Sequence, residues 1–241
     1  PISGGLDSRV LLGCTLNVIP FEKIRLINFG TPGSLDFEVS KSIASFTKLP
    51  FDQVNLNSLN WAKSISKLDN KLGWHVERVA TNFETVSPKN TMLVIGFLGD
   101  PSVGAKFDGN GLSEAEAIGQ FIKTQFGSKD SSLFYSEDIN PCTAFKFFDD
   151  KLVSYKEQLD FCIRQTSYIS EIFSSKHKKT MPFFSDAWLD LAYNMPPDYR
   201  KNRFLFKEFA LSEFPGLFSI KTATHYGFNL DTSDLVWKSF L

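Results

Sequence analysis

The sequence is poor in cysteine, histidine and long apolar runs, and each shortage argues against a class of protein. It has 3 cysteines and 3 histidines among 241 residues. Cys14, Cys142 and Cys162 show neither CxxC spacing nor the Cys/His spacing of a metal site. An odd number of scattered cysteines fits a reducing compartment, so we predict a cytoplasmic protein. No apolar run approaches the roughly 18 residues that a membrane span needs, and no charged-then-apolar signal segment is present.

The sequence also has almost no net charge. Lysine and arginine (26) nearly balance aspartate and glutamate (27). A strong positive field is typical of proteins that hold nucleic acid or an anionic membrane, so we expect neither as a partner. Any anion-binding site must therefore be local. The hydrophobic content of 42% is ordinary for a globular protein, and we expect a folded chain.

Helical and strand patterns alternate over the first 100 residues. Helices are predicted near 8–17 and 36–48, and strands near 23–29, 51–56 and 91–96. The last of these runs is continuously apolar, as expected of a strand that is buried on both faces. Such alternation predicts an α/β fold, in which a parallel sheet carries helices on both faces in three layers.

The second half of the sequence has a different pattern. From Thr143 onward no run indicates a strand, and the periodicity favours helices. One is expected to begin at Ser185 or Asp186 as N-cap, and another, near 200–214, to end before Pro215. We therefore predict an α/β part over residues 1–110 and a mostly helical part over residues 111–241, packed on the same domain.

Three glycine-rich loops follow strands of the expected sheet: "SGGLDS" (3–8), "GTPGS" (30–34) and "GFLGD" (96–100). Ligands of an open parallel sheet bind beyond the carboxyl ends of its strands. In the first loop, Gly4 and Gly5 allow close backbone approach, and the following helix start and two serine hydroxyls offer hydrogen-bond donors. The loop lacks the lysine of the GxxxxGK[ST] motif. It therefore indicates a phosphate-binding loop of another kind, with an ordinary turn as the alternative.

"SGGLDS" resembles the pyrophosphate-binding loop of the N-type ATP pyrophosphatases, the PP-loop enzymes. The strings "SGGLDSRVLL", "NFGTPGSLDFEVSKSIASF", "GD" before Gly104, and "PFFSDAWLDLAYNMPPDYRKNRFLFKEFALSEFPGL" resemble the synthetase domain of asparagine synthetase-like enzymes, including β-lactam synthetase. The resemblance covers most of the chain and implies an adenine nucleotide α-hydrolase-like fold. It also implies ATP and Mg²⁺ as cofactors. In the implied reaction a carboxylate attacks the α-phosphate, pyrophosphate leaves, and an amine or ammonia displaces AMP from the acyl-adenylate.

The resemblance also implies roles for individual residues. Asp7 and Asp100 match the metal-binding aspartates, each expected in a loop at a strand end. The alternatives are an N-cap carboxylate for Asp7, a turn aspartate for Asp100, and a helix N-cap for Asp36. An ordinary strand-ending turn is the alternative for 28–30. The predicted ATP-binding residues are Ser3, Gly4, Gly5, Asp7 and Ser8 at the pyrophosphate, and Asn28, Phe29 and Gly30 at adenine and ribose.

The sequence departs from this family on the side of the acceptor. Phe97 and Pro101 stand where the family has acidic residues, and His225 stands where it has a lysine that stabilises the transition state. His225 and Lys221 are the candidate catalytic residues, with Lys207 as a further cation nearby. The alternatives are a histidine in a surface loop and solvated or structural lysines. These departures make aspartate a doubtful substrate while leaving the ATP-binding motifs intact.

The leading hypothesis is therefore an ATP-dependent amide-forming ligase that acts on a small-molecule carboxylate and an amine or ammonia. The family normally carries an upstream glutaminase domain. Because the motif begins at the third residue, we expect a longer protein, in which the preceding strand ends at about Ile2. One alternative is an ATP-binding module whose chemistry has decayed. Another is a different PP-loop activity, such as tRNA thiolation or sulfonucleotide reduction, which the scattered cysteines and the charge balance argue against.

Overall fold

A computed structural model describes residues 1–55, 90–105, 107, 112–126, 151–165, 178–233 and 236. Cys142 lies outside them. The chain forms two compact units, and the described part is mixed α/β with short parallel sheets. The predicted division at residue 110 stays a prediction. The first unit comprises Pro1–Gly96, Ser174–Pro182 and Lys207–Leu241, and the second comprises Phe97–Phe173 and Phe183–Phe206.

The described helices and strands are short to medium in length. Among them, none of the helices is long and apolar enough to cross a membrane. The strands are β1 Leu26–Gly30, β2 Phe51–Asn55, β3 Met92–Val94 and β4 Lys178–Thr180. The α-helices are α1 Leu6–Val18, α2 Leu35–Thr47, α3 Gly99–Ser102, α4 Glu114–Phe126, α5 Tyr155–Leu159, α6 Asp186–Asn194, α7 Pro197–Arg200, α8 Phe204–Glu213 and α9 Pro215–Phe218.

The first unit is built on a β1–α2–β2 unit with parallel strands, as the alternating pattern predicts. The register runs from Leu26 opposite Phe51 to Gly30 opposite Asn55. The Ile2 N–H donates to the Ile27 carbonyl at 2.8 Å. The residue that precedes the SGGLDS loop is therefore hydrogen-bonded to β1, and the loop starts beside that strand.

The start of α2 differs from one expectation. Ser34 occupies the N-cap position, so the interpretation of Asp36 as the N-cap is wrong. Asp36 lies in the first helical turn, where a carboxylate interacts favourably with the positive end of the helix dipole. The helix ends before Lys48, whose φ of 61° is left-handed. The carboxylate of Asp36 is thus available for a contact outside its own helix.

The third strand pairs with a strand that the sequence pattern did not indicate. β3 and β4 are parallel, with Met92 opposite Lys178 and Val94 opposite Thr180. The expectation of no strand after Thr143 is therefore wrong, because β4 is a three-residue Lys-Lys-Thr segment without an apolar pattern. Burial of β3 on both faces is also wrong, since Met92 is 60% exposed.

The helical region after residue 185 agrees with the sequence pattern at its start and departs from it later. Ser185 caps α6 by accepting a hydrogen bond from the Trp188 N–H, as predicted. The single helix expected near 200–214 is interrupted. Asn202 and Arg203 have φ values of 55° and 61°, which are left-handed and break the helix before α8 begins. Pro215 opens α9 as well as ending the preceding helix.

The core of the second unit contains a buried ion pair. Arg200 is 0% exposed and its guanidinium bonds to the Glu157 carboxylate and, at 2.6 Å, to the Leu152 carbonyl. Glu157 also completes the capping box of α5 with Ser154. Removing one member of such a pair commonly costs about 3–5 kcal/mol, because a charge is left buried. This pair therefore joins the start of α5 to the end of α7.

Two glycines of the second unit give a matched test of its backbone. Gly104 has a φ of +90°, and a Cβ there would lie 2.3 Å from the Arg200 carbonyl oxygen. We expect Gly104→Ala to lower the free energy of unfolding by about 2 kcal/mol or more, because backbone must move and the residue is left-handed. Urea unfolding followed by circular dichroism measures the effect.

Gly119→Ala is the control for that substitution. Gly119 lies exposed in α4, and beyond its chain neighbours and the backbone of its own helix no described atom lies within 4 Å of a Cβ placed there. Alanine should raise stability by about 0.5–1 kcal/mol, because it is the better helix former. Equal effects of the two alanines would contradict the packing of Gly104 against Arg200.

Candidate functional site

The SGGLDS loop leads directly into α1, as predicted. Gly5 is the N-cap residue, and the helix begins at Leu6. The two serines close the loop. The Ser3 N–H donates to Ser8 Oγ at 3.1 Å, the two hydroxyl oxygens are 2.9 Å apart, and the Gly5 N–H donates to Ser3 Oγ at 3.2 Å. The predicted pyrophosphate residues therefore form one tight turn at a helix N-terminus.

Asp7 lies on the first turn of α1, and not in the loop as expected. The helix has 13 residues, and no described side chain caps its N-terminus. A Cβ placed on Gly96 would lie 3.5 Å from Asp7 Cβ and 3.4 Å from the Ser8 nitrogen. The glycine that opens the GFLGD string thus lies against the start of α1.

Gly4 is held at both of its peptide groups. Its N–H donates to Asp36 Oδ1 at 2.9 Å. Its carbonyl accepts hydrogen bonds from the Ala223 N–H at 2.9 Å, from Thr222 Oγ1 at 3.2 Å and from Arg9 Nη2 at 3.1 Å. We call this set of contacts the Gly4 clamp. It fixes the orientation of the loop and joins it to two segments that are distant in the sequence.

Arg9 is the functional candidate that the sequence patterns missed. Its side chain is 0% exposed, and besides Gly4 it donates to the carbonyls of Leu217, Ile220 and Lys221. Burial lowers the pKa of Arg9 to about 10, an effect partly offset by the charge of Asp36. The guanidinium therefore remains charged near neutral pH. An arginine among the apolar residues of a predicted helix was the available signal.

Asn28, in the middle of β1, holds the start of the loop to the sheet. This side chain is buried, and its Nδ2 donates to the Ile2 carbonyl at 2.9 Å while its Oδ1 accepts from Gln53 Nε2 at 3.3 Å. Phe29 packs with the buried pair Ile27 and Leu93. The side-chain amide of Asn28 thus has a structural role in this arrangement. A contact of residues 28–30 with adenine or ribose stays a prediction.

The segment that carries the candidate catalytic residues lies at the loop. Lys221 is exposed, and its carbonyl accepts from Arg9. His225 is 1% exposed in a 3-10 turn, with Nδ1 3.3 Å from the Asn229 carbonyl oxygen. The alternative of a histidine in a surface loop is therefore wrong. Thr222 and Ala223, which follow Lys221, donate to the Gly4 carbonyl. His225, at the position of the lysine in the resembling family, therefore lies in a segment that contacts the predicted pyrophosphate loop.

Asp100 belongs to the second unit, whereas Asp7 belongs to the first. Asp100 lies on the first turn of the short helix α3, and not in a loop. Its Oδ1 accepts a hydrogen bond from Arg203 Nη1 at 2.5 Å, and the side chain is 51% exposed. Pro101 is buried beside it. Within the described part of the chain, no group of three or more His, Cys, Asp or Glu residues could hold a metal ion.

Comparison with known proteins identifies no relative. No protein-family model matches the chain, and no curated protein matches it. The candidate site therefore consists of the residues of the loop, the Gly4 clamp and the segment that follows α9.

Gly4 and Gly5 offer a test of the clamp by paired substitution. A Cβ on Gly4 would lie 2.9 Å from Ala223 Cβ and 3.1 Å from Asp36 Oδ1, whereas on Gly5 its nearest neighbour is the rotatable Ser3 Oγ at 3.2 Å. We expect Gly4→Ala to cost about 1–3 kcal/mol of unfolding free energy and Gly5→Ala clearly less. Urea unfolding of both variants measures the difference, and a larger loss for Gly5→Ala would contradict the clamp.

Proposed function

We propose that the chain is an ATP-dependent ligase that adenylates a carboxylate, releases pyrophosphate and transfers the acyl group to an amine or ammonia. The observation that carries this proposal is the SGGLDS turn at the N-terminus of α1, held by contacts to both α2 and the segment after α9. A helix N-terminus preceded by glycines binds phosphate groups through backbone N–H groups and the positive end of the helix dipole.

The arrangement of the loop supports binding of pyrophosphate. Gly5 and the first turn of α1 present backbone at a helix start that no described side chain caps, and Ser3 and Ser8 add hydroxyls at its mouth. Because the Gly4 N–H donates to Asp36 and the Gly5 N–H donates to Ser3 Oγ, the donors to phosphate would come from the first turn of α1, from Leu6 onward, and from the two serine hydroxyls. The β1–α2–β2 unit fits the three-layer α/β/α fold that we propose for the complete sheet, of the adenine nucleotide α-hydrolase type.

The same proposal includes Mg²⁺, with Asp7 in the first unit and Asp100 in the second as the candidate ligands that the resemblance implies. Magnesium is commonly bound by one or two carboxylates together with substrate phosphates, so the chemistry of each aspartate fits the ion. When bound, the ion would neutralise charge on the phosphates. Asp100 is paired with Arg203, so metal binding at this carboxylate would compete with a guanidinium.

The adenylation step needs positive charge near the α-phosphate, where negative charge builds up in the transition state. Of the two candidates, Lys221 is the better placed. Its side chain is exposed while Arg9 anchors its carbonyl, so the ammonium can reach outward from a fixed backbone. His225 is buried within its own turn and contacts the Asn229 carbonyl. We therefore assign transition-state stabilisation to Lys221 and a supporting structural role to His225.

A second candidate function is an ATP-binding module without amide formation. It is favoured by the burial of His225 and Pro101, at positions where the resembling family has a lysine and an acid. Phe97 adds a third position at which an acid is replaced. These changes leave the loop and the Gly4 clamp intact, so the contacts proposed to hold ATP are spared.

Asp7→Asn tests ATP binding. Removing the carboxylate charge should weaken binding of Mg²⁺-ATP by at least about tenfold, as is typical for loss of an interaction with a charged group. Isothermal titration calorimetry with and without Mg²⁺ measures the affinity. Asp231→Asn, an exposed carboxylate of the same unit, is the control and should leave the affinity unchanged.

ATP–pyrophosphate exchange with a panel of carboxylates separates the two candidate functions. Exchange that requires a carboxylate, and that Lys221→Ala lowers by about a hundredfold or more, supports the ligase. Magnesium-dependent ATP binding without exchange for any carboxylate supports the binding module. If the unsubstituted protein binds no ATP with Mg²⁺, both assignments are wrong.

A further inference from the structure

We propose that Arg9 is a positioning residue that couples the SGGLDS loop to the segment 217–228, so that a ligand in the loop and order in that segment stabilise each other. The identity of the ligand, a nucleoside triphosphate, rests on the proposed function. The coupling itself rests on contacts within the first unit.

The Arg9 guanidinium donates hydrogen bonds both to the SGGLDS loop and to residues around the end of α9. Nη1 donates to the carbonyls of Leu217 at 3.3 Å and Ile220 at 2.8 Å, while Nη2 donates to Gly4 and Lys221. The guanidinium also lies over the Phe218 ring, 5.6 Å from its centroid. One planar cation thus holds a carbonyl of the loop and three carbonyls around the end of α9. A lysine has a single nitrogen and does not reproduce this fork.

The electrostatics give this contact its strength. A guanidinium that is 0% exposed has lost its hydration, and backbone carbonyls take the place of water. Asp36 is the anion whose charge favours the charged form of Arg9, and it binds the Gly4 N–H. Displacing either the loop or the segment would therefore leave a buried charge with fewer partners.

The hydrogen bonds of the segment extend the coupling toward the candidate catalytic residues. Thr222 and Ala223 donate to the Gly4 carbonyl, and the Gly227 N–H returns to the Thr222 carbonyl. Movement of Gly4 would thus be transmitted to the turn that contains His225 and to the backbone of Lys221. Thermodynamic linkage makes this coupling reciprocal. The free energy by which a bound ligand stabilises the turn equals the free energy by which the ordered turn stabilises the bound ligand.

Hydrogen exchange measured by mass spectrometry tests the coupling, with α,β-methylene-ATP and Mg²⁺ as the probe. In the unsubstituted protein the probe should slow exchange in peptides that contain residues 222–228. Arg9→Lys keeps the charge and should speed exchange there by about tenfold without the probe, abolish the slowing caused by the probe, and weaken probe binding by about tenfold. Peptides from β1 and β2 report on global stability and should change less.

Two further variants keep the test decisive. Arg25→Lys alters an exposed arginine that pairs with Asp52, and it should reproduce the unsubstituted protein in every measurement. Thr222→Val removes a smaller part of the clamp and leaves Arg9 in place. Because the same hydroxyl accepts a hydrogen bond from the Thr224 N–H, faster exchange at 222–228 without the probe does not by itself report on the clamp. The expected result is a smaller slowing by the probe, and this result decides the question if Arg9→Lys does not fold.

The outcomes separate this inference from the proposed function. If the probe binds but does not slow exchange at 222–228, or if the Arg9 and Thr222 variants match the unsubstituted protein, the coupling is wrong and the proposed function stands. If the probe does not bind, the proposed function fails. The exchange rate of Arg9→Lys without probe then decides whether Arg9 holds the loop to the segment.

Discussion

The first unit depends on one buried cation. Arg9 is fully removed from water on α1, and its hydrogen bonds go to backbone carbonyls of the loop before the helix and of the region around α9. A buried guanidinium is tolerated when most of its donors are satisfied, as both Nη atoms of Arg9 are, so the surrounding backbone must keep the positions that satisfy them. The loop, the first turn of α2 and the segment after α9 are consequently fixed relative to one point, Gly4.

The second unit uses a buried arginine in a related way. Arg200 bonds to the Glu157 carboxylate and the Leu152 carbonyl, and its guanidinium lies 5.4 Å from the centroid of the Tyr193 ring. Nearby, the left-handed residues Asn202 and Arg203 end the local helix, and the Arg203 side chain pairs with Asp100. Arg9 therefore bonds to Gly4 in the first unit, and Arg203 bonds to Asp100 in the second. The sequence resemblance assigns Gly4 to binding of ATP and Asp100 to binding of a metal ion.

The two steps of the proposed reaction differ in the residues that are present for them. The nucleotide side has a closed serine and glycine turn, a helix start without a side-chain cap among the described residues, and a carboxylate on the first turn. The proposed acceptor side has Phe97, a buried Pro101 and a buried His225, where the resemblance implies charged groups. The proposal of carboxylate activation therefore rests on more residues than the proposal of an acceptor amine.

The sequence by itself determined the elements whose signals are local. The SGGLDS turn before α1, the β1–α2–β2 unit and the Ser185 cap depend on residues a few positions apart, and each was predicted within a few residues of its observed bounds. Tertiary structure alone decided the Gly4 clamp, the burial of His225 and the pairing of β4. Gly4 meets Asp36 and Thr222 across 32 and 218 positions. Composition and periodicity do not encode such contacts. The contacts form when folding buries a polar or charged group, because its hydrogen-bond partners then come from the segments that lie nearest in space.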